Sequence, residues 1–574
     1  MKFNFIEGTY NLSIFRIYID SDDTFDQLSD LPDTVMRTFY HEYFHFIQDL
    51  TTPFTVNVMW QLYSSIAQLI AYAQQHGKEI YLPLSDIPEL KNLETGRQFL
   101  NAIFGDVDCV IETEAAVNPL KVTKVSLIRR FDFLELAEAE QVRFVELTVS
   151  NSQGKIGTYS FGAIAVIETM TYLIQRKFFG DSSVDDAPYR MAYRVAELIC
   201  PDWANNEEYL FAVCDLALKT LYPGWAFVVL LEELRTILPK PQSAEQIYDI
   251  CLEILGREWK YPESFEQYKN NVITVASQLQ GHDVFKINLE WFITIIQNGW
   301  QRGFDEPKIM LRLYQQWKPF NEYLLTLRND LGMPEIVNRK KQRWFFLPKS
   351  LLKYETDIDP TILAAIAQLQ DILLDGSCRC ALIEQCQASS NKMPVDSDCQ
   401  TRPWVKANHE PLCPFGAVWR SFGLNEYTIV FEEWFISKMD LVLDKEIIGM
   451  LWLKGVTYNT WIKAPIGDYM IRVDPPGSGG QLHIHIARSK HTRAKQKQVS
   501  WNIDGTRHDK RSFDESFRGM SQAKKIARQI LGIPDNVILQ HRRSLHYELS
   551  QIAEDEHSIE VQAFDLYTEE HSVL

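Results

Sequence analysis

Five consecutive residues, His41-Glu42-Tyr43-Phe44-His45, could do chemistry together, and they sit in an apolar run from Thr38 to Ile47 without proline or glycine. Such a run is a helix candidate. At about 3.6 residues per turn, His41 and His45 stack on one face, where two imidazoles can grip a single metal ion. A hydrolytic zinc needs about three protein ligands and an open position for water, and a carboxylate beside the first histidine can take that water's proton. Glu42 is therefore the expected general base. Only thirteen histidines occur in 574 residues, and these two fall among residues that would otherwise be buried, where unpaired imidazole and carboxylate groups are costly.

In these residues the chain resembles the zincin metallopeptidases. Uncharged Thr38, Phe39, Tyr43, Phe44, Phe46 and Ile47 surround the motif where that family excludes charge. The resemblance implies Zn2+, hydrolysis of peptide bonds, a strand ahead of the metal helix and, in the glutamate-ligand branch called gluzincins, a third ligand on a later helix. Glu168 fits that vacancy: it is the one carboxylate in the apolar stretch Gly162 to Gln175, and a carboxylate buried there needs a metal or a cation beside it. Its separation from His45 is much longer than in compact members, which leaves room for an inserted helical subdomain. Glu112, Glu114 and Glu135 are the rival carboxylates, and Arg176 or Arg194 could instead satisfy Glu168. Tyr172, four residues further on the same face, could aim its hydroxyl at the oxygen that turns negative during attack on a carbonyl. Asp49, four residues after His45, could orient a ligand imidazole.

Length calls for two or three domains with ample room for a buried site. Composition is globular, 46% hydrophobic and 23% charged, and the net charge of -18 argues against general nucleic-acid coating. Met1 to Glu7 does not read as a secretory signal, and the most apolar window, Trp225 to Leu231, is too short to span a membrane. Nine cysteines, five of them late in the chain, suit reduced thiols or a metal better than a secreted disulfide framework, which places the protein in the cytoplasm.

Elements must position these groups. Asn11 to Asp20 alternates like a strand, the metal helix should begin near Pro32 to Thr34, and Val56 to Gln75 resumes a helical pattern. Ser126 to Arg130, Val142 to Ser150 and Gly157 to Phe161 read as strands, the last two as a hairpin. From Ala187 to about Arg343 helix follows helix. Residues 1–350 are thus expected to form a zincin-like domain with a helical extension. Residues 351–455 form a Cys-rich helical segment in which Cys378, Cys380, Cys386, Cys399 and Cys413 could bind a structural zinc or an iron–sulfur centre, remain free thiols or form disulfides, Cys413-Pro414 resembling the end of an iron–sulfur ligand run; helical patterning resumes there at Thr428 to Lys438. Residues 456–574 read as a small α/β domain with strands at Tyr469 to Val473, Leu482 to Ile486, Val499 to Ile503 and Val537 to Gln540, a helix at Ser521 to Leu531, and an acidic tail expected to be mobile.

In that last region, Lys463 to Arg543 carries sixteen Lys and Arg against seven Asp and Glu. Arg488, Lys490, Arg493, Lys495 and Lys497 form a dense run that could meet phosphates or an acidic partner, although a solvated hairpin loop is the simpler reading. His483 and His485 share a strand face with His508 and Asp509 near in sequence, so a second metal site is conceivable there.

The fold class expected is α+β, predominantly helical. The function expected is a zinc-dependent endopeptidase acting on a specific intracellular protein, with Glu42 as base, His41, His45 and Glu168 on zinc, and Tyr172 assisting. A regulated toxin or defence effector would suit its large appendages, and the C-terminal domain could take a regulatory partner. The alternative is a zinc-stabilised binding protein that engages a partner or nucleic acid through its basic domain.

Overall fold

A computed structural model describes residues 8–431 except 76–77, 83, 85–86, 112–113, 116–118, 131–141, 181–183, 281–284, 317–321, 356, 377–378 and 389–394. Beyond these it describes 462–463, 469–474, 483–488, 491, 497–502, 505–508, 513–514, 517, 519–531, 533, 537, 539 and 560–562. The fold is mixed α+β with helix predominating. Two compact units form, one from residues 1–429 with 559–574 and one from residues 430–558. The expected boundary at 456 lies inside the second unit. Among the described residues no helix is long and apolar enough to cross a membrane.

The first unit is arranged around the helix Asp33–Thr51, here the His helix, in which every residue from Thr38 to Thr51 is buried. A helix apolar on all faces must be enclosed on all faces. Asp33 in its first turn suits the positive end of the helix dipole. At the other end Thr52 is extended ahead of Pro53, which cannot continue the hydrogen-bond ladder and instead opens the helix Pro53–Gln75. The His helix packs against the helix Ala163–Phe179, here the Glu helix, and against the helix Lys286–Asp305. Gly299 and Gly303 permit the second contact, because a Cβ there would stand 2.6 Å from Leu50 Cβ and 2.9 Å from the Thr51 carbonyl oxygen.

A four-stranded sheet lies on the same helix, ordered Gly8–Asn11, Arg16–Ile19, Met333–Asn338, Arg343–Phe346. The outer pairs are antiparallel and the central pair is parallel, with Ile17 opposite Ile336. Two sequence expectations change here. Asn11 to Asp20 is a tight hairpin and not one strand: Ser13 and Phe15 take positive φ, and the Ser13 N–H donates to Asp49 across the turn. The end of the expected helical series is two strands, Glu335 being held by ion pairs with Arg16 and Arg343.

A second sheet joins Lys121–Arg130, Val142–Ser150 and Ile156–Ser160 as an antiparallel meander, with Glu560–Gln562 on its outer edge. These three tail residues are therefore paired. Thr428–Phe431, expected as helix, is a strand.

In the second unit, Ile462–Lys463, Tyr469–Asp474, His483–Arg488 and Gln498–Asn502 form an antiparallel sheet under the helix Met520–Leu531. Ile484, Ile486, Val499 and Trp501 join Ala523 and Ile526 in its core. The described positions of the expected strand Val537 to Gln540 are not in a strand. The expected turn Pro475 to Gly480 and, in the basic run, Lys490, Arg493 and Lys495 lie outside the described residues, as does most of the acidic tail.

Candidate metal centre

The His and Glu helices cross so that both imidazoles meet one carboxylate. His41 Nε2 stands 3.0 Å from Glu168 Oε2 and His45 Nε2 stands 3.4 Å from Glu168 Oε1. Their donor atoms all lie within 4.8 Å of one another. His45 and Glu168 are fully buried and His41 nearly so.

The far side of each imidazole is equally defined. His41 Nδ1 donates to Gln175 Oε1 at 3.1 Å and His45 Nδ1 to Gln48 Oε1 at 3.0 Å. An amide oxygen only accepts, so each Nδ1 carries a hydrogen, and in the neutral ring each Nε2 then presents a lone pair. Lone pairs therefore face a carboxylate in a buried space, and Glu168 Oε1 has no hydrogen-bond partner there. A proton on one imidazole would serve one of these contacts, whereas a divalent cation would serve all of them. Two imidazole nitrogens and one carboxylate oxygen also match the donor set of a hydrolytic zinc.

Electrostatics point the same way. Burial alone would lift Glu168, but positive charge on His45 and His41 would hold its carboxyl at about 2, so the buried carboxylate calls for a cationic partner, a role a metal ion would take where the imidazoles are neutral. Burial pushes Glu42 up to about 8, with His41 lowering it and the Glu168 charge raising it, and the Tyr10 backbone N–H lowering it slightly. Glu42 Oε2 is buried without a hydrogen-bond partner. The strand Gly8–Asn11 lies directly on this carboxyl group: a Cβ at Gly8 would stand 2.6 Å from Thr38 Cγ2 and 3.1 Å from Glu42 Oε1.

The structure thus brings His41, Glu42, His45 and Glu168 together. Arg176 is paired with Glu207, and Arg194 with Asp186 and Glu197, so neither alternative partner takes Glu168. Glu114 sits in a two-residue strand outside the cluster, and Glu112 and Glu135 lie outside the described residues. Tyr172 lines a neighbouring cavity of about 270 Å³ with Thr169, Arg176, Tyr189 and Arg190. Its ring lies 6.5 Å from that of Tyr189, which in turn lies 5.9 Å from His41. Asp49 does not orient an imidazole; it accepts from the Tyr10 hydroxyl at 2.8 Å and the Ser13 N–H at 2.7 Å. Gln48 and Gln175 take the orienting role instead. Their spacings, three residues after His45 and seven after Glu168, put each on its ligand's own helix face and were the available signal.

A second cluster lies in the sheet of the other unit. His483 and His485 are buried on the strand face opposite Ile484 and Ile486, and His508 joins them because its backbone N–H donates to Ser500, the residue paired with His485. The His483 and His508 rings stack at 3.3 Å, and all three offer donor atoms within 4.8 Å of one another. His508 Nδ1 donates to Asn502 Oδ1 at 3.0 Å. Asp509 lies outside the described residues.

Residues 432–567, which include this sheet, match a family of unknown function, DUF6367. The match covers well under half of the chain and leaves the helix centre outside it. No curated protein and no solved structure matches the chain.

Proposed function

We propose that the chain is a zinc-dependent endopeptidase whose centre is held by His41, His45 and Glu168. The observation that carries the reading is the convergence of two Nε2 lone pairs and a carboxylate in one buried space, with the Glu42 carboxyl group adjoining it. When bound, the ion would supply Lewis acidity, polarising the scissile carbonyl and acidifying a water. Glu42 takes a proton from the attacking water and returns it to the leaving amine. Gln48 and Gln175 fix the imidazole tautomers. Thr169, Tyr172, Tyr189 and Arg190 line a neighbouring recess, where a substrate side chain can be seated. Free described thiols agree with a cytoplasmic setting and an intracellular protein as substrate.

Burial favours a second reading. Glu42, His45 and Glu168 are each at most 1% exposed, as they would be if the metal only stapled the fold while the basic unit engaged a partner. Sequencing of new protein N-termini in cells expressing the wild type or Glu42→Gln separates the two. Endopeptidase function requires new termini that vanish in Glu42→Gln while its zinc content is unchanged. Identical termini in both, or none in either, would leave the scaffold reading.

A further inference from the structure

A further group of potential ligands lies in the Cys-rich segment of the first unit. Cys380, Cys386, Cys399 and Cys413 all line one cavity of about 410 Å³, together with apolar Leu382, Ile383 and Phe415. Four separate pieces of chain deliver them. Cys380 follows the helix Thr361–Asp375, and its N–H donates to the Cys399 carbonyl at 2.9 Å, tying two of the pieces together. Cys386 is carried on the helix Ile383–Ala388 and Cys399 on Ser397–Thr401. Cys413 caps the helix Pro414–Ser421, where its Sγ accepts the Gly416 N–H at 3.2 Å.

The four are free thiols, so no disulfide accounts for their meeting. One zinc ion would draw the thiols closer together than they stand here. At a Zn–S distance of about 2.3 Å, tetrahedral thiolates stand roughly 3.8 Å apart. Among the described residues, though, no three potential ligands in this cavity lie within 4.8 Å of one another, a limit that both histidine clusters meet. Four thiols that line a common cavity without three of them converging to within 4.8 Å leave room for a polynuclear centre, in which each sulfur binds a different metal atom. The apolar wall and the N–H directed at Cys413 Sγ are the surroundings that tune and stabilise such a centre.

We infer that Cys380, Cys386, Cys399 and Cys413 ligate an iron–sulfur cluster of the [4Fe–4S] class, which ties together the short helices that carry them. The inference is independent of peptide hydrolysis and survives if that reading fails. The test is anaerobic purification of the full-length protein from iron-supplemented cells, with iron, acid-labile sulfide and zinc assayed and Mössbauer spectra recorded. About four iron and four sulfide per chain are expected, with the spectrum of a cubane. Cys386→Ser and Cys413→Ser should each lose at least half of the iron and sulfide, while His41→Ala leaves both in place. Zinc in place of iron, no iron or sulfide in the wild type, or a cluster unchanged in both cysteine variants would overturn the assignment. Because the wild-type assay decides by itself, a variant that fails to fold does not rescue the idea.

Discussion

Two histidine clusters in one chain gather imidazoles on different scaffolds. On the His helix the pair is spaced four residues apart, on the sheet strand two apart, because those are the periods at which each scaffold returns a side chain to the same face. The helix cluster adds a carboxylate from a second helix and has a second carboxyl group, Glu42, beside it; the three donors of the sheet cluster are all imidazoles. The difference is why the proposed hydrolysis is assigned to the helix cluster. An ion at either place could be held, but only the helix cluster has a described base in position.

The comparison is broken most easily at that base. Glu42→Gln is expected to reduce peptide hydrolysis by roughly 10²–10⁴-fold or more, the contribution of positioned acid–base groups, with zinc content unchanged. Persistent activity would remove the asymmetry between the clusters. Glu168→Ala should come next in size: with one of three ligands gone, zinc at the helix centre should fall roughly tenfold or more by elemental analysis. His483→Ala with His485→Ala should leave that zinc untouched and abolish any metal taken up by the sheet cluster, measured by titration with cobalt. Gly8→Ala tests the strand lying on Glu42. Its Cβ would collide with Thr38 Cγ2, and a loss of about 1–3 kcal/mol in denaturant unfolding is expected.

The smallest effect concerns Asp49, which only the helix region possesses. Burial raises its carboxyl to about 7, against the pull of the Ser13 N–H and the Tyr10 hydroxyl. A native pKa above the unfolded one favours the folded state at low pH, so this contribution is present below about pH 4 and is lost as pH rises through about 7. Asp49→Asn should flatten the pH dependence of unfolding across that window; an unchanged slope would count against the assignment.

What could be read from the sequence follows from how local each signal is. The His helix was legible because its apolar run is unbroken and its histidines keep helical spacing. The meeting of Glu168 with them was legible because a lone carboxylate in Ala163–Ile174 has few ways to be satisfied. The hairpin at residues 12–15 was not, since Ser13 and Phe15 adopt positive φ without a glycine to announce it, and alternation across the turn imitates one strand. Met333–Asn338 was missed because its pairing partner, Arg16–Ile19, lies at the other end of the unit's sequence. The cysteine spacings match no common zinc-finger pattern, and only the chain path through three short helices shows that four thiols share a cavity.

The central claim is that His41, His45 and Glu168 hold one zinc ion. Anomalous diffraction collected on both sides of the zinc edge from crystals of the full chain tests it most directly. The expected result is a zinc peak about 2.0–2.2 Å from both Nε2 atoms and a Glu168 carboxylate oxygen. Zinc-supplemented crystals with no peak between those three side chains would contradict it.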